Sequence, residues 1–177
     1  VAGGADSSGY LNSARLLREG RLRETLRAPA ALGPASALDA MHFLPQGFFP
    51  SAERGQLNPT YPAGLPLHLA AAQAVLGLRT GTAAVLLGSA AAAVALMYAA
   101  ARSLGLGAPL ASAGTVTLAV FPVFLFTSIQ PLSDTLATAW ALAALTAGLR
   151  AGKSCGWAAA AGAAFAAAVL KIGRAHV

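Results

Sequence analysis

Asp134 is the only acidic residue that follows Glu53, and it stands in Gln130-Pro131-Leu132-Ser133-Asp134-Thr135, inside a region dominated by alanine and leucine. A carboxylate at the middle of a bilayer costs roughly 2.5–3.5 kcal/mol, so such a group belongs at a helix end, against a polar cavity or in a functional site. Pro131 interrupts the helical pattern, and Ser133 or Asp134 is positioned to cap a new helix from Thr135. This puts Asp134 at a membrane surface. A second carboxylate, Asp6, precedes Tyr10 in Asp6-Ser7-Ser8-Gly9-Tyr10; the plain alternative for it is the N-cap of a helix from Tyr10. A carboxylate held at a surface can take the proton of a hydroxyl nucleophile, or hold a cation that offsets a phosphate leaving group.

The elements that must position these acids follow from composition. With 56% hydrophobic and only 10% charged residues among 177, the chain reads as an all-α, polytopic membrane protein. From Tyr10, a helix carrying Tyr10, Leu11, Ala14 and Leu17 on one face and Arg15, Arg18 and Glu19 on another is expected to end at Gly20. Such a helix suits a membrane interface. The chain then reads as irregular and aromatic through Phe43–Pro50, so residues 1–61 are expected to form one long extramembrane loop on the bilayer surface. Residues 62–80 form a proline-rich turn, within Asn58–Pro66, and a juxtamembrane helix over Leu67–Leu78, too short and too polar to cross. Residues 81–171 hold a bundle of about four helices. The apolar runs are Thr82–Ala101, Ala108–Ile129 with a kink at Pro122, Thr135–Leu149 and Gly156–Leu170; against about 20 residues for a span, the first two suffice and the last two are short. Their alanines and glycines favour close helix packing. Parity sets Arg102, Arg150 and Lys153 on one side, and positive-inside reasoning makes that side cytoplasmic. The first loop and Asp134 then share the extracytoplasmic face of a plasma (inner) membrane.

Other chemistries are excluded or unsupported. The net charge of +6 comes with arginines clustered early in the chain and without aromatic interleaving, so lipid phosphate is the expected anionic partner and nucleic acid is not. Arg15 and Arg18 are placed to meet such phosphates, or are solvated helix-face charges. The single cysteine, Cys155, forms no intrachain disulfide and no thiolate cluster. His42 and His68 lack metal-ligand spacing. Gly105-x-Gly107 has no third glycine and no preceding soluble strand, and no P-loop occurs. The ends are expected to be artificial. Val1 opens without methionine or signal, and Ile172–Val177 resembles a translated sequencing adapter, so 172–177 is set aside as a probable artefactual tail and the chain is expected to be a fragment.

Taken together, Asp6-x-x-x-Tyr10, Asn58-Pro59-Thr60-Tyr61-Pro62-Ala63-Gly64-Leu65-Pro66 and Gln130-Pro131-Leu132-Ser133-Asp134 resemble the N-terminal module of the GT-C glycosyltransferases. More narrowly, the pattern is similar to bacterial glycosyltransferase family 39, related to protein mannosyltransferases, over nearly all of residues 1–171. The resemblance implies transfer of a sugar from a polyprenyl-phosphate donor to a glycan, lipid or protein acceptor. It further implies Asp6 as catalytic base or as ligand of a divalent cation such as Mg²⁺ or Mn²⁺, with Asp134 as partner. Ser7 stands where the family often has a second acid, and Ala63 where a second proline is usual. Tyr10, Arg15, Asn58, Tyr61 and Lys171 are the expected substrate-binding residues, Lys171 because the topology returns a cation to the donor phosphate; the plain alternatives are a snorkelling helix-end lysine and, for Asn58–Pro66, a proline-stiffened corner with an interfacial tyrosine. A transporter or membrane-assembly subunit is the alternative. It would place acids and broken helices near the bilayer midplane.

Overall fold

The computed structural model describes residues 4–26, 44–53 and 55–170. Helix α1, Ala5–Arg18, begins one turn earlier than the apolar pattern predicts and stops just before Gly20. Because it starts at Ala5, Asp6 lies inside the first turn and does not cap it; Gly4 holds the N-cap position. Three short strands follow, β1 (Glu24–Thr25), β2 (Phe48–Pro50) and β3 (Gln56–Pro59), in the order β1-β3-β2. Both pairings are antiparallel, with Glu24 opposite Leu57 and Phe49 opposite Asn58.

This sheet corrects the expectation of an irregular loop through residue 50 and of a turn starting at Asn58. Each strand is two to four residues long, shorter than the run over which alternation becomes legible. One face is nonetheless well packed: Leu26, Phe48 and Leu57 close on Leu16 of α1.

Helix α2 (Gly64–Leu76) folds back along α3 (Leu78–Ser103) through Gly77 alone, whose φ of +80° a side-chain-bearing residue rarely adopts. The crossing is close: a Cβ on Gly81 would lie 2.6 Å from the Ala72 carbonyl. The other face of α1, expected at a membrane interface, packs on protein. Tyr10 and Ala14 pack against Leu65 and Leu69 of α2 and against Leu136.

The remaining helices are α4 (Ala108–Val120), α5 (Pro122–Ser128), α6 (Ser133–Gly148) and α7 (Cys155–Val169), with a single 3-10 turn at Ala151–Lys153 before the last. α6 lies between α3 and α7 and packs extensively on both. The kink expected at Pro122 is a 60° bend between α4 and α5, because proline lacks the N–H that would continue the ladder. α3 has 26 residues, about 39 Å at the helical rise, against roughly 30 Å of hydrocarbon. Only 17% of its most apolar stretch is buried. Among the described residues α3 is the one helix long and apolar enough to cross a membrane, and the bent α4–α5 pair is a second if counted as one span. α6 and α7, at 16 and 15 residues, fall below that length.

Candidate functional site at the start of α1 and α6

Asp6 and Tyr10 are four residues apart on α1 and so share a face. Between them Gly9 leaves the helix surface bare: a Cβ there would strike the Tyr61 ring and come within 3.0 Å of the Gly47 Cα. Gly47 itself has φ +85° and its carbonyl accepts from the Thr60 N–H at 2.9 Å. The two glycines therefore let α1 lie directly on the backbone before β2, and Tyr61 fits over the gap. From there the Tyr61 hydroxyl donates to Oδ1 of Asp6, while the Tyr61 and Tyr10 rings meet with centroids 4.8 Å apart and planes tilted by 37°.

Tyr10 carries the link onward. It is 6% exposed, and its hydroxyl donates to the Ser133 Oγ at 3.0 Å, across 123 residues of sequence. Ser133 is the first residue of α6 and Asp134 the second. Neither caps the helix: Leu132 is the N-cap, with no side-chain hydrogen bond, because the Ser133 hydroxyl faces Tyr10. Asp6 and Asp134 are both exposed. Beneath them, Thr135 donates to Thr127 at 3.1 Å and Ser128 Oγ donates to the Phe124 carbonyl at 2.6 Å. These hydroxyls tie the end of α5 to the start of α6.

The electrostatics report the same convergence. Burial pushes the Tyr10 phenol above its ordinary value; the Ser133 hydroxyl opposes this, and the charges of Asp134 and then Asp6 add to it. For Tyr61, the hydrogen bond to Asp6 comes first, then burial, and the phenol is pushed up to about 12. Both tyrosines are thus neutral donors at physiological pH. Two solvent-accessible carboxylates, one of them oriented by a phenol, form a site able to accept a proton.

The other expected residues lie elsewhere. Arg15, nine residues beyond Asp6 and about 13 Å along the helix, pairs with Glu24 at 3.0 Å. Arg21 joins the same carboxylate at 3.2 Å. Burial pushes Glu24 up, but the Arg21 hydrogen bond and charge, with help from Arg15, leave it below its ordinary value. Arg15 is therefore a structural partner of the sheet rather than a member of the acid site. Asn58 pairs with the exposed Phe49 on the face of the sheet opposite Leu57, so it too points away. Lys171 and His42 lie outside the described residues. His68 sits 2.8 Å from the Gly64 carbonyl and edge-on to Trp140. Both rings line an apolar groove of about 390 Å³ between α3 and α6, with Ser89 and Leu136, and Leu136 is two residues beyond Asp134.

Among the described residues no group of three His, Cys, Asp or Glu could enclose a metal ion. A pair of carboxylates suits only an ion that keeps much of its water, as Mg²⁺ does. Sequence reasoning missed Gly9 and Gly47, although a glycine inside a helical pattern is itself a signal of close backbone approach. No protein-family model, curated protein or solved structure matches the chain.

Proposed function

We propose that the chain belongs to a multi-pass membrane glycosyltransferase of the GT-C kind, moving a sugar from a polyprenyl-phosphate donor to an acceptor hydroxyl outside the cytoplasm. The observation that carries this reading is that Asp6 and Asp134 both stand beside one pair of tyrosines in ring contact, Asp6 bonded to Tyr61 and Asp134 next to the Ser133 that Tyr10 bonds. In the proposed reaction the acceptor oxygen bonds to the anomeric carbon, the carbon–oxygen bond to phosphate breaks, and the phosphate leaves with the electron pair. Asp6 takes the acceptor proton on the oxygen that Tyr61 leaves free, and Tyr61 holds the carboxylate in that orientation. Asp134 positions the acceptor. A hydrated divalent cation shared by the two acids would supply charge against the departing phosphate. The apolar groove beside Leu136 suits the polyprenyl chain.

Multi-pass topology is part of the proposal: α3, the bent α4–α5 pair, α6 and α7 each cross, with the short helices tilted little in the bilayer. The outward-facing apolar side chains of these helices support it. The test is Asp6→Asn in the intact protein. Transfer should fall about 10²–10⁴-fold, with expression and membrane insertion unchanged; wild-type transfer by this variant ends the catalytic assignment. The 60° break between α4 and α5 favours a second reading, a transporter or assembly subunit. That reading predicts that solute flux, and not sugar transfer, responds to Asp134→Asn.

A further inference from the structure

The end of the helices opposite the acids has its own construction. Arg150, just past the end of α6, donates from Nε to the Ser103 Oγ at 3.2 Å. Its guanidinium lies over the Trp157 ring of α7, 5.1 Å from the centroid. Three helix ends are thus joined through one arginine. Arg102, beside Ser103 on α3, donates to the Leu106 carbonyl at 2.8 Å and is exposed; Lys153, on the 3-10 turn, is exposed as well.

Among the described residues no carboxylate balances these three cations. Among the described residues the acids are Asp6, Glu19, Glu24, Glu53 and Asp134. The first four belong to the N-terminal unit, and Asp134 is at the far end of α6, about 24 Å from Arg150 by helical rise. Among the described residues no acceptor meets the terminal nitrogens of Arg150. Ser103 and Trp157 hold the planar fork in place and leave its bidentate edge for an outside anion. Around the cations stand Leu104, Leu106, Leu149 and Trp157, all exposed. An indole and aliphatic side chains surrounding fixed cations match a ligand with a phosphate head and apolar tails.

We infer that Arg150, Lys153 and Arg102, with Trp157, form a binding site for the headgroup of an anionic phospholipid. The inference rests on the membrane reading above and not on the glycosyltransferase reading. It is distinct from the acid site in position and sign.

The test uses Trp157 as reporter. The chain with Trp140→Phe, which leaves Trp157 as its only tryptophan, is reconstituted in phosphatidylcholine vesicles containing a small fraction of brominated phosphatidylglycerol or brominated phosphatidylcholine. Phosphatidylglycerol should quench Trp157 at a severalfold lower mole fraction, and Arg150→Gln or Lys153→Gln should each weaken that selectivity about fivefold. Circular dichroism checks the fold; should Arg150→Gln lose helix, the exposed Lys153→Gln and Arg102→Gln variants carry the test. Equal quenching by the two lipids in the parent chain overturns the site, as does reversal of quenching by inorganic phosphate, which would assign it to a free anion. A chain that does not float with the vesicles overturns the membrane reading itself.

Discussion

In the unit built from α1, the sheet and α2, a core of large apolar side chains points inward: Leu16, Leu57, Leu65 and Leu69 are 2% exposed or less, while Leu67, Val75 and Leu76 of α2 face outward. In α3 to α7 the buried residues are mostly small and most large apolar side chains face outward. Alanines such as Ala93 and Ala111 are fully buried, while Leu87, Val120, Ile129 and Phe165 are each more than 60% exposed. Water explains the first arrangement, since burying a leucine is worth about 1.5–3 kcal/mol there. It does not explain the second, because a water-facing surface seldom carries so large a contiguous apolar patch. The membrane reading proposed above accounts for it: lipid removes the penalty on outward leucine, and small inward residues then let the helices approach. On the proposed membrane reading, the difference means that one chain is folded against two solvents, with the acid site where the two meet.

The largest expected effect breaks the comparison most directly. Leu16→Ala should cost about 2–5 kcal/mol, read as the stability of the N-terminal unit by pulse proteolysis in detergent, whereas Leu125→Ala, at a half-exposed position, should stay within about 0.5 kcal/mol. Equal losses at the two positions would mean that α3 to α7 have an ordinary core. A smaller effect sharpens the contact between the unit and the helices. Gly9→Ala places a methyl against the Tyr61 ring and the Gly47 backbone, and overpacking of this kind costs about 1–3 kcal/mol; an unchanged protein would show that Tyr61 does not occupy that gap.

The smallest effect is a titration. Tyr61 is pushed up to about 12, chiefly by its hydrogen bond to Asp6, from the ordinary phenol value of about 10. A raised phenol pKa means that folding favours the protonated form. The stability it contributes is complete below pH 10 and is lost as pH rises through about 12. Of the three tyrosines, Tyr61 should ionise at the alkaline end of the tyrosinate absorbance curve, and Tyr61→Phe should remove that step. Removal of a step near pH 10 instead would mean that the phenol does not bond Asp6. Asp6→Asn should return Tyr61 toward its ordinary value without altering the helices.

Helical class, the Pro122 bend and the stop before Gly20 were legible because they rest on local chemistry: proline lacks a donor and a long apolar run has few other uses. The isolation of Asp134 was equally plain, since one carboxylate in an alanine-rich region stands out in any window. What stayed hidden depended on partners distant in sequence. The strands were too short to show alternation, and they exist because Leu16 supplies a surface for Leu57 and Phe48. Arg15 reads as a free basic residue until Glu24 folds beneath it.

Sequence alone therefore determined the helical class, an apolar helix able to cross a bilayer and the presence of two isolated acids, all of them properties of single segments. Tertiary structure alone decided that Ser133 serves Tyr10 instead of capping α6, that Gly9 and Gly47 admit the Tyr61 ring, and that Arg150 spans three helix ends. A hydroxyl, a missing Cβ or a guanidinium has several possible partners, and only the packing of segments far apart in the chain selects one.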